Sequence, residues 1–402
     1  MVGFFRAALQ EIIPRKVFSH AVSWAEMLRK SLLLLSLAAC CLTAAELPRG
    51  QISDEVKCEK DAAESYALYL PSNYTADRAW PVLLAFDPRA NGRSPVATYQ
   101  AAAEKYGYIV AGSKNSRNGP YNIGISAAHA MYADVTARFH TNPRRIYATG
   151  HSGGSRLAMG LALQIDKGKF AGVIASSAAF PFPDPPDTLD FPVFGTAGTE
   201  DFNYVEMQRF DRQVQSPHKV RVFHGGHTWP TTELAMEAIE WLELQAMKTG
   251  LEKQEAQKID AFFAAAKARA GAAGGLESLY LWTGVATDFA GLRDVKEAAG
   301  RVQVLRTLPT VKSETDRKQS DERYELTVNS ELAGLMEDMN GPDDRAPVRE
   351  RIRSRLTDLQ QRANMTGDSP ERRMSRRIIR GLLLGAREVD DPELQQFFAT
   401  LR

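Results

Sequence analysis

The chain has 402 residues, 44% of them hydrophobic, which is enough to bury more than one core. Its formal net charge of +1 gives no electrostatic basis for binding nucleic acid or an acidic surface. We therefore expect a globular protein with no nucleic-acid partner.

Residues 1–45 are predicted to be an over-extended start followed by a secretory signal peptide. Arg29 and Lys30 are basic, residues 31–42 form an apolar run, and small residues that suit cleavage follow it. The run is about a dozen residues long, which is too short to span a membrane as a helix. Because a signal peptide begins near its own methionine, Met27 is the expected start. The prediction is an exported protein, periplasmic or extracellular.

The same segment allows a second kind of processing. Leu37-Ala38-Ala39-Cys40 resembles a bacterial lipobox, in which Cys40 would carry a lipid and anchor the protein to a membrane. This lipoprotein is the alternative to simple secretion. The three cysteines of the chain imply no disulfide framework.

Residues 50–247 are predicted to form an α/β domain, because short β-rich runs alternate with helical patterns. Runs such as PVLLAF and AGVIAS are apolar throughout, as in parallel strands that are buried on both faces. Strands are predicted at 66–70, 81–86, 108–113, 145–149, 171–176, 191–196 and 220–223. Helices are predicted at 99–106, 125–139, 153–165, 204–214 and 232–244. The pattern indicates a mostly parallel sheet flanked by helices.

Residues 250–402 are predicted to form an all-helical C-terminal domain. Apolar residues recur at helical spacing, and no convincing strand pattern follows residue 250. The arginine-rich stretches near the end are almost balanced by acidic residues. We interpret them as solvated helix faces rather than as a nucleic-acid footprint.

The segment Gly150-His151-Ser152-Gly153-Gly154 matches the G-x-S-x-G pattern and lies between a predicted strand and a predicted helix. This is the context of a nucleophile elbow, in which the serine takes strained backbone angles. Gly150 and Gly154 would let the strand and the helix approach closely. We interpret Ser152 as a nucleophile; the alternative is a glycine-rich turn whose serine caps the helix.

A serine nucleophile needs a base, and in this kind of fold the order along the chain is Ser, Asp, His. His227 lies in a glycine-rich loop after the last predicted strand and is preferred over His224, which lies at the end of that strand. The acid is expected in the loop after the penultimate strand, where Asp201 is preferred and Glu200 is the rival. Each role then has its own loop that follows a strand.

These motifs, read as GHSGGS, GTEDFNY and GGHTWP, resemble those of α/β-hydrolase superfamily serine esterases over residues 57–246. The chain looks similar to bacterial dienelactone hydrolases, feruloyl esterases and polyhydroxybutyrate depolymerases. The resemblance implies hydrolysis of a small-molecule or polymer ester through a triad and an acyl-enzyme, with no metal or other cofactor. It also implies two oxyanion donors. Gly153 is one; the other is expected from Arg89, because the preceding Pro88 has no N–H.

The substrate side of the predicted site is open to several interpretations. Trp229 and Phe180 are candidates for an apolar acyl site, and plain packing is the alternative for both. Two alternative functions also remain. One is a serine peptidase similar to prolyl oligopeptidases; the other is a non-catalytic α/β scaffold whose helical domain binds a partner.

Overall fold

The computed structural model describes residues 47–339, 341, 345–386 and 389–401. The predicted signal peptide, the Met27 start and the lipid anchor at Cys40 lie outside the described residues. From Pro48 onward the chain forms one compact unit. In the described ranges no helix is both long and apolar enough to cross a membrane.

An eight-stranded sheet forms the centre of the first half of the described chain. Its strands are β1 Ile52–Lys57, β2 Ser65–Tyr69, β3 Trp80–Phe86, β4 Ile109–Ser113, β5 Thr141–His151, β6 Gly172–Ser176, β7 Val193–Gly198 and β8 His218–Phe223. Their order is β1-β2-β4-β3-β5-β6-β7-β8; β2 pairs antiparallel with β1 and β4, and the other neighbours are parallel. The predicted mostly parallel sheet is confirmed.

Strand β1 was not predicted from the sequence. It lies at the edge of the sheet and reads ISDEVK, with a single fully buried residue, Val56. Charged side chains are typical of an edge strand, where they prevent pairing with another chain. They also remove the apolar run on which the other strand predictions depend.

Five helices accompany the sheet: α1 Arg93–Tyr106, α2 Tyr121–Arg138, α3 Gly153–Gly160, α4 Tyr204–Gln213 and α5 Thr232–Thr249. A π-helical turn, Leu161–Ile165, continues α3. Helices α1 and α5 share a core with Leu83 and Val110 on one face of the sheet. Because side chains of a strand alternate between faces, the equally buried Val82 and Leu84 show that the other face is covered too.

The C-terminal region is helical, as predicted, with no strand among its described residues. Its helices are α6 Ala256–Ala272, α7 Gly275–Asp288, α8 Lys296–Thr307, α9 Pro309–Asp338, α10 Arg345–Ala363, α11 Pro370–Gly385 and α12 Pro392–Thr400. Helix α6 packs through Ile259 and Phe262 on Leu244 and Met247 of α5. A separate core joins α9, α10, α11 and α12. The helical region therefore continues the packing of the sheet domain.

A buried ion pair links α9 and α11 and extends to the sheet domain. Arg377 donates to Glu325 from Nε (2.9 Å) and from Nη2 (2.5 Å), and the Glu325 side chain is 1% exposed. Arg377 Nη1 also donates to the Thr199 carbonyl oxygen at 2.6 Å. The guanidinium lies 4.4 Å from the centre of the Tyr204 ring, the first residue of α4. One arginine thus joins three elements.

Arg377→Met is expected to lower the free energy of unfolding by about 3 to 5 kcal/mol, because Glu325 would remain buried without a counter-charge. Urea denaturation of the full chain measures this loss. Lys167→Met is the control, since Lys167 pairs with Asp190 on the surface, and its loss should stay below about 1 kcal/mol. Equal losses in both variants would contradict the interpretation.

Candidate active site

Ser152 lies at the sharp turn between β5 and α3. Its backbone angles are φ 55° and ψ −121°, in a region that L-residues rarely adopt. The Ser152 N–H donates to the Ser176 carbonyl oxygen of the neighbouring strand at 2.8 Å, which holds the turn in place. Strain of this kind costs about 1 to 3 kcal/mol and is found mostly at functional sites.

Two glycines make this turn sterically feasible, as the sequence predicted. A Cβ at Gly150 would lie 2.1 Å from the Gly154 carbonyl oxygen. A Cβ at Gly154 would lie 2.0 Å from the carbonyl oxygen of Phe86, at the end of β3. Since both obstacles are backbone atoms, no side-chain movement could relieve them. The strand, the turn and the helix therefore meet at backbone contact distance.

His227 and Asp201 are joined by a hydrogen bond at the same edge of the sheet. Asp201 follows β7 and His227 follows β8, and parallel strands bring their carboxyl ends together. His227 Nδ1 lies 2.7 Å from Asp201 Oδ1, and the Asp201 side chain is fully buried. A carboxylate only accepts hydrogen bonds, so the His227 Nδ1 carries the proton and Nε2 has the free lone pair.

This sheet order, with a strained serine after β5 and the His227–Asp201 pair beyond β8 and β7, decides the architecture. The chain has the α/β-hydrolase fold. Its helical C-terminal region is an addition to the sheet and its flanking helices.

No family model matches this chain, and no curated protein is detectably similar to it in sequence. Similar solved structures are esterases and other hydrolases. Est1E from Butyrivibrio proteoclasticus is 15% identical with a TM-score of 0.38, over 48% of this chain and 98% of that one. MGS-M1, an α/β hydrolase enzyme from a Medee basin deep-sea metagenome library, is 18% identical with a TM-score of 0.34, over 44% and 83%.

A puromycin hydrolase is 15% identical with a TM-score of 0.37, and the match covers 50% of this chain but only 39% of the hydrolase. These likenesses concern the fold alone. They leave about half of the present chain unmatched.

Glu200 and His224, the alternative acid and base considered from the sequence, both lie against other residues. Glu200 accepts from Arg376 Nη1 at 2.8 Å and from Arg380 Nη1 at 2.9 Å, both on α11. Burial alone would raise the pKa of Glu200, but these two arginines outweigh it and lower the pKa. His224 is largely exposed, with Nε2 3.7 Å from Asp368 Oδ2. The structure thus brings Asp201, and not Glu200, to His227.

The predicted second oxyanion donor is not available in the structure. The Arg89 N–H donates to Asp87 Oδ1 at 2.9 Å, so it is already committed to a carboxylate. The Asp87 side chain also accepts from Trp229 Nε1, at 2.8 Å on Oδ2. Gly153 fits its predicted role, because as the first residue of α3 it has no acceptor for its N–H within the helix.

The two predicted substrate-binding residues have different positions. Trp229 lies beside the site, with its ring centre 5.6 Å from that of His151. Phe180 instead packs on Phe210 and Phe182, at 5.3 Å and 6.3 Å between ring centres. Phe180 does not line the cavity that contains Ser152. Its proposed role at an acyl site is therefore not supported, and packing explains it.

A cavity of about 1340 Å³ opens in front of Ser152 and has two unlike walls. The sheet domain contributes Asp87, Asn118, Ser152, Phe202, His227 and Trp229. The C-terminal helices contribute Leu332, Ala333, Met336, Arg377, Leu382 and Leu384. The second wall was not predicted, because no short-range pattern in the sequence indicates which distant helix will face a given loop.

Phe202 and Asn118 are further residues of the site that the sequence analysis missed. The Phe202 ring stacks on the His227 imidazole, with 3.9 Å between centres and 30° between planes. Stacking on Phe202 fixes the plane of the His227 imidazole, and the hydrogen bond to Asp201 fixes the rotation of the ring within that plane. The Asn118 amide lies against Gly153, since a Cβ there would be 1.8 Å from Asn118 Oδ1. In the sequence, the position of Phe202 next to Asp201 could have indicated that it belongs to the site. No pattern in the sequence indicated Asn118.

In the described parts of the chain, no three His, Cys, Asp or Glu side chains are grouped as a metal ion would require.

His151, the variable residue of the elbow, is a buried imidazole beside the candidate base. Its ring centre lies 4.5 Å from that of His227. Burial, helped by the neighbouring His227, lowers the pKa of His151 to about 4 although Asp201 and Asp87 oppose the shift. His151 is therefore uncharged at neutral pH and does not repel a proton that moves to His227.

The unfolded chain takes up a proton at His151 near pH 6.5, but the folded chain does so only near pH 4. Acidification from pH 7 to 4.5 should therefore cost the wild type about 2 to 3 kcal/mol more unfolding free energy than His151→Phe. Urea titrations at the two pH values measure the difference. The same substitution at exposed His224 is the control, and an equal acid loss in wild type and His151→Phe would refute the assignment.

Proposed function

We propose that the protein is a serine hydrolase that cleaves a carboxylic ester through Ser152, His227 and Asp201. The observation that carries the proposal is that a strained serine at a helix N-terminus and a histidine line the same cavity, and that this histidine is already bonded to a buried carboxylate behind it. A structural role would require neither the strain nor the shared cavity. An active enzyme is preferred to an inactive scaffold because candidates for the nucleophile, the base and the acid are all present.

The reaction follows from the atoms of these three residues. Ser152 Oγ attacks the ester carbonyl carbon while His227 Nε2 accepts the hydroxyl proton. Asp201 stabilises the imidazolium and keeps Nδ1 protonated, and Phe202 holds the ring plane. The imidazolium then gives its proton to the departing alcohol, which leaves an acyl-enzyme. Water, deprotonated by the same Nε2, hydrolyses the acyl group and restores Ser152.

The tetrahedral intermediate needs two donors for its oxyanion. The first is the Gly153 N–H, which benefits from the positive end of the α3 dipole. For the second we propose the side-chain amide of Asn118, since the Arg89 N–H is bound to Asp87. The Asn118 side chain lies against Gly153, and rotation of its amide by 180° turns Nδ2 toward the same space.

Export is proposed on the sequence of residues 27–45 alone, with membrane anchoring at Cys40 as the alternative. An exported esterase would act on an external ester. Fractionation of cells that produce the full chain, together with the mass of the mature N-terminus, distinguishes the two forms of processing.

A fluorophosphonate probe should label the wild-type chain, because it reacts with an activated serine whatever the natural substrate is. Ser152→Ala should abolish labelling, and His227→Ala and Asp201→Asn should slow it by at least about a hundredfold, since the base is lost or misoriented. His224→Ala is the matched control and should label at the wild-type rate. A folded wild-type chain that remains unlabelled would favour the non-catalytic scaffold.

Asn118→Ala should lower kcat on a p-nitrophenyl ester by about ten- to a hundredfold with little change in KM, because the lost donor acts on the oxyanion and not on the bound ester. Asn91→Ala is the control, since Asn91 lines the same cavity but does not lie against Gly153. Equal kcat values for wild type and Asn118→Ala would exclude Asn118 as the donor.

A further inference from the structure

We propose that helices α9 and α11 form the selectivity wall of the site and that the preferred substrate is an ester with an extended apolar arm. This inference rests on the proposed hydrolase activity and adds to it the class of substrate. It also gives the C-terminal helices a role in recognition that the catalytic residues do not require.

Each of the two helices turns one face toward the cavity. On α9 the facing residues include Leu332 and Met336, which are one turn apart. On α11 they include Arg377, Gly381 and Leu384, which also follow helical spacing. A continuous stripe on each helix therefore faces Ser152, as expected of a built wall rather than of an accidental contact.

Two glycines one turn apart leave a groove along α11. A Cβ at Gly381 would lie 3.4 Å from Phe202 Cβ, and Phe202 stacks on His227. A Cβ at Gly385 would meet no atom of the described residues within 4 Å. Glycine is disfavoured inside helices, and here Gly381 lets α11 lie close to Phe202, while the space beside Gly385 is open.

The surface of this groove suits an apolar occupant. Leu384 is 62% exposed although it lines the cavity, so an apolar chain would cover surface that is otherwise in water. One of the three arginines that line the cavity, Arg89, belongs to the sheet domain, and α9 contributes the carboxylate of Glu337. The other two arginines are already paired, Arg377 with Glu325 and Arg156 with Glu206. Their charges are therefore not available for an anionic arm.

The size of the cavity also favours a large ester. Sites for small molecules usually have volumes of about 300 to 1,000 Å³, and this one has about 1340 Å³. An acetate ester would leave the wall of α9 and α11 uncovered. Each additional methylene that becomes buried should improve binding by about fourfold.

The test compares two series of esters on the full chain. One series varies the acyl group of p-nitrophenyl esters from acetate to dodecanoate, and the other varies the alcohol of acetate esters over the same lengths. We expect kcat/KM to rise at least tenfold from two to eight carbons in one of the series. Gly385→Phe fills the groove and should reduce the ratio of long-chain to short-chain kcat/KM at least tenfold.

Gly334→Phe on α9 is the matched control, because Gly334 also has free space around its Cβ position but does not line the cavity. The ratio of long-chain to short-chain kcat/KM of Gly334→Phe should equal that of the wild type. If Gly385→Phe does not fold, Leu384→Asp, which makes the groove polar, should lower the same ratio.

Wild-type kcat/KM values that stay constant or fall with chain length in both series would overturn the selectivity proposal. A ratio of long-chain to short-chain kcat/KM that is unchanged by Gly385→Phe or Leu384→Asp would also overturn it. Failure of the hydrolase proposal looks different, because the wild type would then hydrolyse no ester and Ser152 would resist the fluorophosphonate probe.

Discussion

The site depends on a backbone-to-backbone contact among three elements. The end of β3, the end of β5 and the start of α3 approach so closely at Phe86, Gly150 and Gly154 that no side chain fits between them. Ser152 takes its positive φ within this contact, which brings the N-terminus of α3 to the proposed reacting region. The strain is offset by the buried parallel strands on either side, which make the turn rigid.

A second constraint comes from outside the sheet. The loop that carries Asp201 is held by α11, where Arg376 and Arg380 bind Glu200 and Arg377 binds the Thr199 carbonyl oxygen. Since Asp201 directly follows Glu200, these contacts act one residue from the carboxylate that orients His227. The helical region therefore supports the proposed catalytic residues as well as lining their cavity, and a description of two independent domains would miss this dependence.

The sequence was sufficient for seven of the eight strands and for placing Ser152, Asp201 and His227 at one edge of the sheet. Apolar runs mark buried strands, and the loops after three of those strands must meet because parallel strands end at the same edge. It was insufficient to assign the second oxyanion donor, because the Arg89 N–H is taken by the side chain of Asp87 in a local turn. It was also insufficient for α11, because pairing of helix faces with remote loops depends on the packing of the whole chain. Strand β1 was missed because its charged residues interrupt the apolar run that marks the other strands.

The long separation between Glu200 and Arg376, 176 positions along the chain, bears on the order of events during synthesis. Chains emerge from the ribosome N-terminus first, so the sheet and all three proposed reacting residues exist well before α11 does. Until α11 docks, Glu200 lacks both of its partners and the acid loop lacks its outer support. A newly made chain thus gains the outer support of the proposed acid loop only after α11 has been synthesised and has docked.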